Sequence, residues 1–322
     1  MTPGRIDVHH HAIVPRVAAL MRRMGAPFKI PWTLEQTFEV LDEQRIDYAV
    51  ISNPIPVEYL PDAATARFYC REANEAVVEF AAAHPGRFGL LAALPIPHID
   101  AALAEIEHAH DTLGADGFVL IPHSGSHYLG DALFEPVLAE LDRRAATVLV
   151  HPMMPPDSAG SSVPAVLADF LLDTTRGAIG LVLSDALDRY PNISFVLAHA
   201  GGFLPYAAFR VEALAHGFFG ADPVRIREQL GRFYYDTALA GPSGLPGLFA
   251  TVAPERILFG TDWCAAPRAA VTAAGRALEE QYARTPGAAE AGARTARRLF
   301  AGWAAATAPS PDPVMSEQWR GP

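Results

Sequence analysis

Arg5-Ile6-Asp7-Val8-His9-His10-His11 begins as a short apolar strand and runs straight into three consecutive histidines. In an extended strand the period of two sets Asp7, His9 and His11 on one face and Val8 and His10 on the other. Two imidazoles then converge on one point, and such a pair at a strand end makes half of a ligand set for a transition-metal ion. A histidine-rich tract alone is only a compositional signal, so the remaining ligands have to come from elsewhere in the chain.

Outward from this stretch, short apolar runs alternate with helical patterns. Strands are expected at 48–52, 88–94, 117–121, 147–151, 193–199, 233–237 and 256–260. Helices are expected at 34–45, 63–83, 101–112, 134–144, 165–189, 268–284 and 288–305, with another from Gly201-Gly202 to about 215. Thr33 and Gln36 form a capping-box pair at the start of the first helix, and Pro136 is tolerated in a first turn. Eight strands alternating with helices make an α/β chain of the (β/α)8 TIM barrel type. An open doubly wound sheet would carry a Gly-rich phosphate turn after its first strand, where this chain has histidines. The expected organisation is one barrel domain over 1–306, a lid-like loop excursion over 12–32 carrying Met21, Met24, Phe28 and Trp32, and a Pro-rich C-terminal arm over 307–322.

Composition narrows the function classes. Half of the 322 residues are hydrophobic, which supplies a large core, and the formal charge of −11 sets the chain against nucleic acid, whose phosphates it would repel. No basic amphipathic segment and no long apolar run suggests a membrane. Cys70 and Cys264 lie far apart, in neither a CxxC nor a disulfide-dense pattern, and read as reduced thiols. A strand so close to the N-terminus leaves no room for a signal peptide, so a cytoplasmic location is expected.

In a barrel of this kind the chemistry sits at the C-terminal ends of the strands. The first strand ends in His9 and His11, the fifth in His151, the sixth in His199, and the eighth leads to Asp262. Singly, His151 before Pro152 suits a packed core histidine and Asp262 suits a helix N-cap. Together, four imidazoles and a carboxylate on one rim are costly unless a metal orders them.

The set Asp7-x-His9-x-His11, Val150-His151-Pro152, Leu197-Ala198-His199-Ala200-Gly201-Gly202 and Leu258-Phe259-Gly260-Thr261-Asp262-Trp263 resembles the amidohydrolase superfamily. Within it, the chain is most similar to the metal-dependent decarboxylase branch, which holds the γ-resorcylate and α-amino-β-carboxymuconate-ε-semialdehyde decarboxylases. The segments His84-Pro85-Gly86-Arg87-Phe88, Tyr128-Leu129-Gly130-Asp131 and Phe233-Tyr234-Tyr235-Asp236-Thr237 resemble the 6-methylsalicylate decarboxylase group in particular, and the likeness runs over about residues 4–305.

The resemblance implies one divalent metal ion, Zn first and Mn second, held by His9, His11, His151 and Asp262. It implies His199, with Asp262, as the catalytic pair: His199 holds or deprotonates a water at the metal, or passes a proton to substrate. The implied reaction is non-oxidative decarboxylation of an aromatic or conjugated carboxylic acid, with no organic cofactor, in a homodimer. Arginine matches a carboxylate with two donors at once. Arg210 resembles an arginine that reaches the neighbouring subunit's site, and Arg176 is a second candidate. His123, in the histidine-rich Ile121-Pro122-His123-Ser124-Gly125-Ser126-His127-Tyr128, and Trp263, where Trp263-Cys264-Ala265-Ala266-Pro267 departs from the usual pattern, are further candidate substrate contacts. Asp7 reads as structural, and His10 as packing. The same ligands also serve a metal-dependent hydrolase of a lactone, amide or C–C bond, and a tailoring enzyme or binding protein of natural-product chemistry would keep the fold.

Overall fold

All six residues of the first strand are buried, not alternately buried and exposed, which marks a parallel sheet covered on both faces. The computed structural model describes residues 4–25, 30–56, 60–155, 158 and 162–300. In chain order the elements are β1 (Arg5–His10), α1 (Pro15–Met24), α2 (Leu34–Glu43), β2 (Ile46–Ser52), α3 (Ala63–Ala82), β3 (Phe88–Ala93), α4 (Ile99–Asp111) and β4 (Gly117–Leu120). A two-residue-stranded hairpin follows, β5 (His123–Ser124) and β6 (His127–Tyr128), then α5 (Glu135–Arg143), β7 (Thr147–Val150), α6 (Asp169–Leu183), α7 (Ala186–Arg189), β8 (Ser194–Leu197), α8 (Leu204–Phe219), α9 (Pro223–Leu230) and β9 (Tyr234–Tyr235). Helices α10 (Gly241–Thr251), α11 (Arg268–Arg284) and α12 (Ala288–Leu299) complete the described chain.

Seven strands form one parallel sheet in the order β1-β2-β3-β4-β7-β8-β9, so each new strand is laid beside the last across an intervening helix. Both faces of the curled sheet are covered: Val50 and Leu91 on one face and Phe118, Val148 and Phe195 on the other are all buried. Its two edge strands both bond to residues 257–263. The Leu258 N–H donates to the Tyr235 carbonyl at 2.8 Å, the Val8 N–H to the Phe259 carbonyl at 3.0 Å, and the Asp262 N–H to the His9 carbonyl at 2.8 Å. The strand expected at 256–260 is thus present as isolated bridges, Tyr235 to Ile257 and His10 to Trp263. A 3₁₀ turn at Pro254–Arg256 takes up its start, and Asp262, at φ 61°, bends its end out of the extended conformation.

The helix starts follow local chemistry: Thr33 accepts from the Gln36 N–H at 3.2 Å, and Asp62 accepts from the Thr65 N–H at 2.8 Å. Other boundaries differ from the sequence reading. The excursion over 12–32 is largely α1, pinned to α3 by Arg16 pairs with Glu72 at 2.8 Å and Glu79 at 2.7 Å; its apolar Val17 and Leu20 are buried against the core. Phe28 and the expected arm over 307–322 lie outside the described residues. The helix expected over 165–189 is broken, because Asp185 adopts φ 60° between α6 and α7. No helix among the described residues is long and apolar enough to cross a membrane.

Candidate metal centre

Parallel register brings the strand ends together. β4 pairs with β7 so that the His151 N–H donates to the Leu120 carbonyl at 2.9 Å, which fixes His151 just beyond the sheet on the same rim as His9 and His11. His199 opens a 3₁₀ turn directly after β8, and Asp262 follows the bridging segment. Both have left-handed backbones, φ 53° and φ 61°, which cost of order 1–3 kcal/mol each for non-glycine residues and cluster at functional sites.

One nitrogen from each of His9, His11 and His151 and one oxygen of Asp262 lie within 4.8 Å of one another, and all four residues are buried. The His9 ring stands 4.9 Å from His151 and 5.2 Å from His11, edge to face. Neighbours orient the two strand-one rings. His9 Nδ1 is 2.6 Å from Asp236 Oδ2, and His11 Nδ1 is 2.6 Å from the Ser52 carbonyl oxygen, so in each the Nε2 is turned to the centre. His9 Nε2 approaches Asp262 Oδ1 at 3.3 Å, but without the alignment of a hydrogen bond, and neither nitrogen of His151 has a hydrogen-bond partner among the described residues. Buried, unpaired ring nitrogens facing a carboxylate are what a cation would satisfy. Three imidazoles and one carboxylate form a donor set that fits a divalent transition metal.

The protonation tendencies agree with that use for two of the ligands. Burial tends to raise the Asp262 pKa, yet hydrogen bonds with His11 and His199 and the nearby charge of His9 outweigh it and hold the carboxyl well below its usual range. Burial, reinforced by His9, His11 and His199, pushes His151 well below an ordinary imidazole, leaving it neutral. His9 goes the other way. Burial lowers it, but the Asp236 and Asp262 carboxylates overcome this and raise it to about 10 without metal, so it must give up a proton to bind one.

His199 stands beside the cluster, its ring 4.9 Å from His9 and 5.7 Å from His151. The two oxygens of Asp262 divide between these groups: Oδ1 faces His9 and His11 at 3.3 and 3.1 Å, whereas Oδ2 faces His199 Nε2 at 3.3 Å. Asp7 fixes the loop that carries Asp262. Its Oδ1 accepts from the His9 and Thr261 N–H groups, both at 3.1 Å, and its Oδ2 from the Thr261 hydroxyl at 2.5 Å. A register shift between Asp7 and His10 lets Oδ2 also reach His10 Nδ1 at 2.9 Å, so strict alternation does not hold there. His10 packs near Phe88, outside the cluster.

The candidate substrate contacts are more dispersed. His123 is buried on β5, its Nδ1 2.8 Å from Asp173 Oδ1. His127 is exposed and pairs with Asp131. Arg176 is exposed on α6, with an N–H 3.4 Å from the Tyr128 hydroxyl, and Arg210 is exposed on α8. Trp263 is buried with Val40, Cys264, Ala266 and Val271, and its indole N–H donates to the Thr37 hydroxyl at 3.1 Å. Burial pushes the Cys264 thiol up to about 12, which leaves it unreactive near neutral pH. Two carboxylates were not read as site residues in the sequence. Asp236, fully buried, holds His9 and also accepts from the Ala200 and Ala238 N–H groups. Its place directly after the seventh strand was the available signal. Asp173 lies inside a helical pattern and gave none.

The family model described as amidohydrolase matches residues 6–306. The chain is 35% identical over 282 residues to 6-methylsalicylic acid decarboxylase of Penicillium expansum, covering 83% of this chain and 87% of the relative. Among solved structures it is similar to an amidohydrolase II at 27% identity and TM-score 0.80, over 92% of this chain and 100% of the other. A dihydroxybenzoic acid decarboxylase from a Polaromonas species, with bound manganese and 2-nitroresorcinol, matches at TM-score 0.76 and 23% identity, over 92% and 97% of the two chains, a likeness of fold.

Proposed function

Because the chain belongs to the amidohydrolase family, we propose that it is a metal-dependent carboxy-lyase that decarboxylates an aromatic or conjugated carboxylic acid without oxidation. The observation that carries this reading is the divided carboxylate of Asp262, one oxygen toward the ligand histidines and the other toward His199. A proton carrier is thereby kept against the metal site without being one of its ligands.

We assign His9, His11, His151 and Asp262 as the ligands, and Zn²⁺ as the ion with Mn²⁺ as its competitor; when bound, the ion polarises a substrate oxygen. Asp236 and the Ser52 carbonyl hold His9 and His11 in the orientation that offers Nε2. His199 gives a proton to the ring carbon that bears the carboxylate. The ring–carboxylate bond then breaks, its electron pair restores the aromatic ring, and CO₂ leaves.

A homodimer supplies the carboxylate clamp in this reading. Tyr206 and Phe209 stand 93% and 79% exposed on α8, an apolar face suited to a second copy, and Arg210 beside them is free to reach that copy's site. Arg176 is the candidate clamp within the same chain. We read the curled sheet with residues 257–263 as a (β/α)8 barrel in a single domain over 1–306. The unpaired buried thiols of Cys70 and Cys264 suit the reducing cytoplasm.

A panel of hydroxybenzoates tests the proposal, with CO₂ release and loss of the carboxylate absorbance as readouts. A decarboxylated phenol is expected. A product that keeps the carboxylate would overturn the reading in favour of hydrolysis.

A further inference from the structure

The hairpin β5–β6 is pressed against α6 more closely than side chains would permit. A Cβ on Gly180 would lie 2.1 Å from the Leu129 carbonyl oxygen, and one on Gly177 would lie 2.8 Å from the Pro122 Cβ. Both positions therefore need glycine, and that close seating carries Asp173, one helical turn earlier on α6, up to the hairpin. Asp173 is fully buried; its Oδ1 takes His123 Nδ1 at 2.8 Å and its Oδ2 accepts the Met153 N–H at 3.2 Å. Tyr128 flanks the same imidazole, with ring centroids 5.8 Å apart.

A carboxylate on Nδ1 fixes the tautomer that carries its proton there and leaves Nε2 as the nitrogen for a ligand. His123 lines a recess with Pro54, Ile55, Leu94 and Ile121. Two parts of its wall lie close in the chain to residues bonded to the candidate ligands. Pro54 and Ile55 follow Ser52, whose carbonyl holds His11, and Ile121 follows Leu120, which pairs with the strand that ends at His151. The recess has room for only about one water-sized group beside His123, so it takes a ring hydroxyl rather than the ring itself.

We propose that His123, positioned by Asp173, is a specificity-determining residue that accepts a hydrogen bond from a ring hydroxyl of the substrate. The inference rests on the aromatic-acid reading above and adds to it the feature the site selects. Accepting from the hydroxyl also raises electron density on the ring, which favours protonation of the carbon that loses CO₂.

The test is calorimetric titration of the metal-loaded protein in the cold with 2-, 3- and 4-hydroxybenzoate and the three corresponding methoxybenzoates, alongside the variants His123→Ala and Asp173→Asn. At one ring position methylation is expected to weaken binding to the unmodified protein about tenfold or more, because a buried acceptor then loses its donor. His123→Ala should bring that ratio to about twofold or less, with metal content unchanged. Asp173→Asn, which keeps the volume but releases the tautomer, should lower the same ratio several-fold and serves if the first variant does not fold. The inference is overturned if no position discriminates in the unmodified protein, or if both ratios persist in the folded variants. Binding is read without turnover, so discrimination without CO₂ release would sink the decarboxylase reading alone, and CO₂ release with unaltered ratios would sink this one alone.

Discussion

The metal rim and the β5–β6 hairpin are both histidine sites braced by a buried aspartate, yet they are assembled in opposite ways. On the rim, parallel register sets His9, His11 and His151 at strand ends, and the loop held by Asp7 brings Asp262 to them, all within 4.8 Å. At the hairpin, His123 meets Asp173 only because two glycines let a helix pack against a turn fifty residues earlier in the chain. The rim is held by the topology and the hairpin by the packing of one helix. Chemistry shared with relatives belongs on the first kind of support, and substrate preference on the second.

That contrast fails most directly if ligand and proton carrier prove interchangeable. His151→Ala is expected to lose both metal and turnover, read as well under one metal equivalent by elemental analysis after dialysis. His199→Ala should keep the metal and lose turnover by about 10²–10⁴-fold; loss of its metal would collapse the division of roles drawn from Asp262. A smaller effect is expected at Asp236→Asn, where removing the brace on His9 should weaken metal affinity about 10–100-fold, measured by competition with a chelator. Because His9 is held up at about 10 without metal, it is protonated at pH 7 and its proton must leave on binding. Affinity should therefore rise with pH, roughly tenfold per unit while one proton is released. Gly180→Ala sharpens the other side: overpacking there should cost about 1–3 kcal/mol in chemical denaturation and leave metal content intact. Metal loss in this variant would show that the hairpin supports the rim as well.

The rim was legible in the sequence for the same reason it is robust. Strands with a period of two, and polar residues just beyond their apolar runs, leave a linear record of where a side chain ends up. Asp236 stood in that record but beside tyrosines that drew it into a strand. The pairing of Asp173 with His123 left no record, since it depends on the depth at which α6 packs. Helix α10 was missed because Gly241-Pro242-Ser243-Gly244-Leu245-Pro246-Gly247 has poor intrinsic helix propensity and is helical only through tertiary packing of Leu245 and Leu248. The eighth strand was read in its right place, but its backbone is too bent at Asp262 to pair along its length.

Residues 257–263 join the two edges of the sheet, and this bears on how the protein is made. A ribosome delivers His9 and His11 first and Asp262 only after some four-fifths of the chain. Until that segment emerges, β1 has β2 on one side and an unpaired backbone edge on the other, with two imidazoles at its tip. Completion of the candidate ligand set is thus deferred until late in synthesis, and a product that stops before it is a sticky strand edge without the fourth ligand.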